Sequence, residues 1–156
     1  MLIPGQRLLL LIALLCFGAV AAALVSQHVF DMPPCAWCVL QRLIYLVIGV
    51  VALAGAFATA LARVCAAACA VLAAGGIAAA WYQYDVAARM FSCDQTFADR
   101  FMSGTGLDGA VPWLFGIYAT CMDASVEVLG VEYALWSLAL FGVLVILGAR
   151  GALGRR

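Results

Sequence analysis

Four long stretches of the chain carry almost no charge, and nothing constrains its folding more. They cover residues 8–25, 39–62, 64–81 and 133–149, the last short but apolar throughout. About 20 apolar residues, rising about 1.5 Å each along a helix, cross a hydrocarbon core of about 30 Å. Each run therefore reads as a membrane-spanning helix. Apolar residues make up 68% of the chain and charged residues 10%, against about 45–50% and about 25% in soluble domains. A water-soluble globule and a disordered chain are both excluded. The expected fold is all-α, a four-helix transmembrane bundle forming one domain over residues 1–156. Only Arg63 separates the second and third runs, which predicts a tight helical hairpin. Gly49, Gly55 and the Gly75-Gly76 pair are placed where small residues let membrane helices approach.

Charge gives the direction. The chain has no lysine, and Arg7, Arg63, Arg150, Arg155 and Arg156 flank the apolar runs. With both termini cytoplasmic, the inner face collects those five, and the outer loops keep only Arg89 and Arg100, as the positive-inside rule asks. All eight acids then fall outside. Two outer loops result, at 26–38 and 82–132. The first run resembles a signal peptide, with Arg7 before it and Ala21-Ala22-Ala23 within it. It is longer than the 7–15 residues typical of a signal core, and its removal leaves an odd number of spans. An uncleaved first helix is the better reading. A zero net charge without a basic face excludes nucleic acid as a partner.

Topology also sorts the seven cysteines. Cys16, Cys65 and Cys69 lie inside predicted spans, where a free thiol packs as a small hydrophobe. Cys65 and Cys69 share a helix face, but no His, Asp or Glu stands near to complete a metal site. Cys35, Cys38, Cys93 and Cys121 lie in the outer loops, on the side where disulfides persist. They read as two pairs, one per loop.

Cys35-Ala36-Trp37-Cys38 is the sharpest signal. It stands where the first loop turns into the second span, behind Asp31-Met32-Pro33-Pro34, with Asp31 a candidate helix cap. At a helix N-terminus the dipole favours the thiolate and readies it for exchange. Arg42 follows Cys38 by one turn on the same face. Arginine costs roughly 2.5–3.5 kcal/mol at a membrane centre, less near the interface, so Arg42 is a candidate to hold a Cys38 thiolate or the oxygen of an electron acceptor. Cys93 and Cys121 close a loop of about 29 residues, which as a staple contributes roughly 3–4 kcal/mol. The apolar string Val111-Pro112-Trp113-Leu114-Phe115 between them is suited to the membrane surface and brings the loop pair toward Cys35 and Cys38. Two disulfides in reach of each other can exchange. His28, Trp37, Tyr82, Tyr84 and Tyr133 read as interfacial anchors. No phosphate loop, zinc spacing or Ser/His/Asp set is visible.

The string Pro34-Cys35-x-x-Cys38-x-x-Gln41-Arg42, with four spans and the Cys93/Cys121 pair, resembles the disulfide-bond-formation protein B (DsbB) family. Ser26-Gln27-x-Val29-Phe30, Cys93-Asp94 and Leu129-Gly130 extend the likeness over nearly the whole chain. The DsbA–DsbB–quinone system keeps the bacterial periplasm oxidising. The resemblance implies a quinone-dependent protein-disulfide oxidoreductase of the bacterial inner membrane, its redox loops facing the periplasm. A reduced thioredoxin-like, DsbA-like dithiol oxidase would attack the Cys93–Cys121 disulfide at Cys93. Electrons would pass through a Cys35–Cys121 bridge to Cys35–Cys38, and Cys38 would be reoxidised by ubiquinone or menaquinone near Arg42. Two departures stand out. Trp37 fills a position often leucine, and Trp81-Tyr82-Gln83-Tyr84 lacks the histidine some members carry, so the third span receives no quinone contact. Two other readings fit the same topology. One is a vitamin K epoxide reductase-like thiol enzyme, the other a structural tetraspan with two loop disulfides. A staple would not require Cys35-x-x-Cys38 with Arg42.

The arginine pattern makes the topology testable. Reporters fused at Arg63 and between Gly104 and Gly109 are expected on opposite sides of the membrane. Finding both on one side removes the four-span arrangement.

Overall fold

The computed structural model describes residues 4–89 and 96–154. In chain order it has α1 (Pro4–Val29), α2 (Ala36–Phe57) and α3 (Ala62–Asp85). Three short loop helices follow, α4 (Phe97–Thr105), α5 (Leu107–Ala110) and α6 (Pro112–Phe115). A two-stranded ribbon, β1 (Glu127–Val128) with β2 (Val131–Glu132), leads into α7 (Tyr133–Leu153). Helices α1, α2, α3 and α7 are each long and apolar enough to cross a membrane. The fold is the expected four-helix transmembrane bundle.

Two helices overrun the apolar stretches that signalled them, α1 to Val29 and α3 to Asp85. Backbone bonding continues through the interfacial layer, where polar side chains are solvated but the helix remains the cheapest way to pair N–H with C=O. Helix α2 does the opposite and stops at Phe57, short of the end of its apolar run. A 3-10 turn at Thr59–Leu61 makes the corner before α3. Alanine-rich sequence on both sides hides this corner from hydropathy.

Leu9, Ile12 and Cys16 of α1 meet Ile48 and Ala52 of α2, Cys69 and Ala73 of α3, and Phe141 and Leu144 of α7 in one buried cluster. At its centre the Tyr45 and Phe141 rings stack 4.2 Å apart and 2° from parallel. Tyr45 also reaches α7 by its hydroxyl, 2.9 Å from Ser137 Oγ. Helix α3 presents Gly76 to the Phe141 ring. A Cβ on Gly76 would overlap the Phe141 ring, so the missing side chain is what admits it.

The bundle has two distinct ends. At one, Arg63 in the α2–α3 corner donates to the Gly154 carbonyl at 3.2 Å. At the other lie the α1–α2 connection and the long α3–α7 segment. Thr96 and Asp99 cap α4 reciprocally in a capping box, and α4 buries Ala98 and Met102. The ribbon turns through Leu129 and Gly130, at φ 56° and 77°. Paired positive φ values make the tight turn whose twist matches its strands. Trp136 Nε1 donates to Val128 O at 3.1 Å, fastening the ribbon onto α7.

The adjacent glycines separate close approach from helix propensity. Gly76→Ala is expected to destabilise by about 1–3 kcal/mol through overpacking against Phe141. A Cβ on Gly75 meets nothing within 4 Å, so Gly75→Ala is expected to be neutral or mildly stabilising. Unfolding titrations in detergent read the difference.

Candidate active site

Pro33 and Pro34 keep the chain extended up to Cys35, whose φ −86° and ψ 171° make it the N-cap of α2. Cys38 is then the third residue of the helix, and Val39 N–H closes the first turn on Cys35 O at 3.0 Å. Their sulfurs lie 3.1 Å apart. Both lie at the first turn of α2, whose leading N–H groups have no intrahelical acceptor. Asp31 is not the cap. It sits in the left-handed region at φ 54°, and no side chain caps α2.

Cys121 is brought to this point by a backbone clamp. The Pro34 carbonyl accepts from Tyr118 N–H at 3.0 Å and Ala119 N–H at 3.3 Å. Directly after it, Thr120 Oγ1 donates to Asp123 Oδ2 at 2.6 Å and accepts from Asp123 N–H at 3.2 Å. That pair rounds the chain into a turn holding Cys121. Cys121 packs against the buried cluster that holds Cys35, and its thiol is the first cause holding the Cys35 thiol well above its ordinary pKa, ahead of the Cys38 thiol and of burial. Cys35 thus faces a partner sulfur on each side. Cys93 lies outside the described residues.

Arg42 is not a snorkelling side chain. It is 5% exposed and turned inward. It donates to Gln27 Oε1 at 2.6 Å and to Leu114 O at 3.0 Å through Nη1, and to Ala23 O at 3.3 Å through Nη2. These bonds tie α2 to α1 and α6, and none goes to Cys38. Among the described residues, Arg42 Nε is a buried donor without a partner. Cys38 receives its hydrogen bond instead from Gln83 Nε2 at 3.2 Å, while Gln83 Oε1 accepts from Gln41 Nε2 at 2.6 Å. Gln83 was invisible to sequence reasoning because a glutamine at a span's end resembles any interfacial polar residue.

The interfacial anchors also regroup. Trp37 is 7% exposed, its ring 4.7 Å from that of Tyr82 and 6.4 Å from that of Phe97. It fills the space beneath the loop rather than a membrane belt. The α6 string is divided, with Trp113 exposed and Phe115 buried against the Cys35 cluster. His28 Nε2 donates to the Trp113 carbonyl at 3.0 Å, so this anchor holds the loop. Cys16 and Cys69 are buried in the bundle core, as packing requires.

Beside Cys38 a cavity of about 230 Å³ opens between α1, α2, α3 and α7. Ala19, Ala23 and Leu140 make apolar walls, and Gln41, Arg42 and Gln83 gather at its polar end. Ala22 and Trp136, both exposed, mark where it reaches the lateral surface.

The family model described as "Disulfide bond formation protein DsbB" matches residues 5–150. The chain belongs to the DsbB family. "Disulfide bond formation protein B 1" of Pseudomonas savastanoi is 31% identical over 145 residues, covering 91% of this chain and 86% of the relative. "Disulfide bond formation protein B" of Ralstonia nicotianae is 32% identical, covering 91% and 90%. The protein of that name from Verminephrobacter eiseniae is 33% identical over 163 residues, covering 97% and 90%. Membership makes the chain a multi-pass inner-membrane disulfide oxidoreductase, of the class that reoxidises DsbA and passes the electrons to quinone. It removes the purely structural tetraspan.

The Cys35 surroundings carry a signed expectation. The Cys121 thiol helps keep the Cys35 proton in place, so in the fully reduced protein Cys121→Ala should lower the pH at which Cys35 reaches half-maximal alkylation. Iodoacetamide labelling resolved by mass spectrometry measures the midpoint. An unchanged or higher midpoint contradicts the contact.

Proposed function

We propose that four cysteines and one cavity divide the reaction of this DsbB-family enzyme between a loop pair and a membrane-edge pair. The thiolate of a reduced thioredoxin-like partner attacks Cys93, forming a mixed disulfide and expelling Cys121 as thiolate. Cys121 attacks Cys35, forming Cys35–Cys121 while the electron pair of the broken Cys35–Cys38 bond stays on Cys38. The partner's second thiolate resolves the mixed disulfide, and the partner leaves oxidised. Cys93 then attacks Cys121 of the bridge, restoring Cys93–Cys121 and freeing Cys35. Remaking Cys35–Cys38 removes two electrons and two protons.

The observation that carries this reading is that Cys35 contacts Cys121 on one side and Cys38 on the other, while Cys38 borders the cavity. That order is the order of the relay. The cavity suits a membrane quinone, having apolar walls, openings to the lateral surface and an unpaired Arg42 Nε able to donate to a carbonyl oxygen. A bound quinone supplies the two-electron, two-proton acceptor. Arg42 is the side chain that would face its head. The arginines at the opposite end of the bundle support cytoplasmic termini and loops facing the periplasm.

The test is covalent trapping. In Cys121→Ser the lone Cys93 thiolate should attack a partner activated as a mixed disulfide, expelling the activating thiol, and the Cys93–partner bond should accumulate for want of Cys121. In Cys38→Ser the Cys35 thiolate should attack Cys121 of the loop disulfide, releasing Cys93 and leaving a Cys35–Cys121 bridge without quinone reduction. Arg42→Met should raise KM for quinone by about tenfold or more, from the loss of one charge-assisted hydrogen bond. If both loop cysteines can be removed with partner oxidation intact, the relay is wrong.

A further inference from the structure

Two neutral side chains border the sulfur that the relay releases. Gln41 and Gln83 are 5% and 6% exposed, one on α2 and one on α3. The two amides are bonded to each other. Gln83 Oε1 accepts from Gln41 at 2.6 Å, so the Gln83 NH2 group is the one facing Cys38 Sγ at 3.2 Å. Turning Gln83 alone would set one NH2 group against another and an oxygen against the sulfur.

From this geometry we infer that Gln83 holds the Cys38 sulfur as it leaves Cys35, with Gln41 positioning the Gln83 amide. The inference rests on the assignment of Cys38 to the cavity-facing end of the relay. When the Cys35–Cys38 bond breaks, the electron pair stays on Cys38 as Cys121 takes its place on Cys35. A disulfide sulfur is a weak acceptor and a thiolate a strong one, so the Gln83 bond strengthens as charge develops on Cys38. An interaction stronger in the transition state than in the ground state raises turnover rather than substrate binding. The neutrality of the donor matters at this depth. A second cation beside Arg42 would bring its own desolvation penalty, and a carboxylate would repel the thiolate. Gln41 keeps the Gln83 amide from rotating its oxygen toward the sulfur.

The experiment uses full-length protein in detergent with a short-chain ubiquinone analogue and a reduced DsbA-type donor. Gln83→Leu is expected to lower kcat about tenfold, with KM for the quinone analogue held within about twofold. In a Cys35→Ser background the same change is expected to slow iodoacetamide alkylation of Cys38 at neutral pH by about tenfold, because less sulfur is present as thiolate. Gln83→His, which keeps a donor, is expected to recover part of both. Gln41→Leu should show a smaller loss of the same kind. Should Gln83→Leu fail to fold, Gln83→Asn withdraws the amide while keeping the site polar and carries the same expectations. A folded Gln83 variant with unchanged kcat and unchanged Cys38 alkylation overturns the inference. So does a rise in KM alone, which would make Gln83 a quinone contact only. Quinone reduction surviving in Cys38→Ser overturns the underlying assignment and this inference with it. Loss in Cys38→Ser with normal Gln83 variants removes the inference alone.

Discussion

A guanidinium placed within a membrane helix must have its N–H groups answered by the protein, because lipid offers no acceptor. In this chain that demand organises the active end. Arg42 sits on α2, yet its bonds go to Gln27 and the Ala23 carbonyl of α1 and to the Leu114 carbonyl of α6. Satisfying one cation therefore fixes where the first helix crosses the second and where the long loop settles. His28 adds a second hold on the neighbouring Trp113 carbonyl. With α6 held from below, Phe115 fills the space near Trp37 and the chain reaches Pro34 at the right height to deliver Cys121. Much of the loop's placement derives from groups on the helices.

The same demand explains the division of polar labour around the cavity. Charge is confined to Arg42, and the other polar side chains lining the cavity are the amides of Gln41 and Gln83 and the hydroxyls of Tyr45, Tyr133 and Ser137. Amides satisfy one another in pairs without the desolvation penalty of ions, so they tolerate a cavity whose contents change. The walls are mostly alanine, and their small side chains leave the space.

How much of this was legible follows from which residues act alone and which act by neighbourhood. Cys35, Cys38 and Arg42 announce themselves within a single helix, where spacing along the chain is spacing in space. The four spans announce themselves because lipid demands long apolar runs. Gln83, Trp37 and Asp31 show the other case. Gln83 gains its meaning from a sulfur on another helix. Trp37 is buried because α4 and Tyr82 close over it, which no window of sequence reports. Asp31 has the composition of a cap, but two prolines carry the chain on to Cys35 before the helix begins. The early end of α2 was hidden by alanine, which reads alike in helix and corner.

The Pro34 carbonyl that receives both Tyr118 and Ala119 acts as a ruler. Only Thr120 separates Ala119 from Cys121, so the reach of that sulfur is set by a short, closed distance measured from the clamp. Length added or removed between Ala119 and Cys121 has nowhere to go, and it would turn the sulfur off its mark even with every helix intact. One backbone oxygen thus gauges where the last stretch of the loop delivers its thiol.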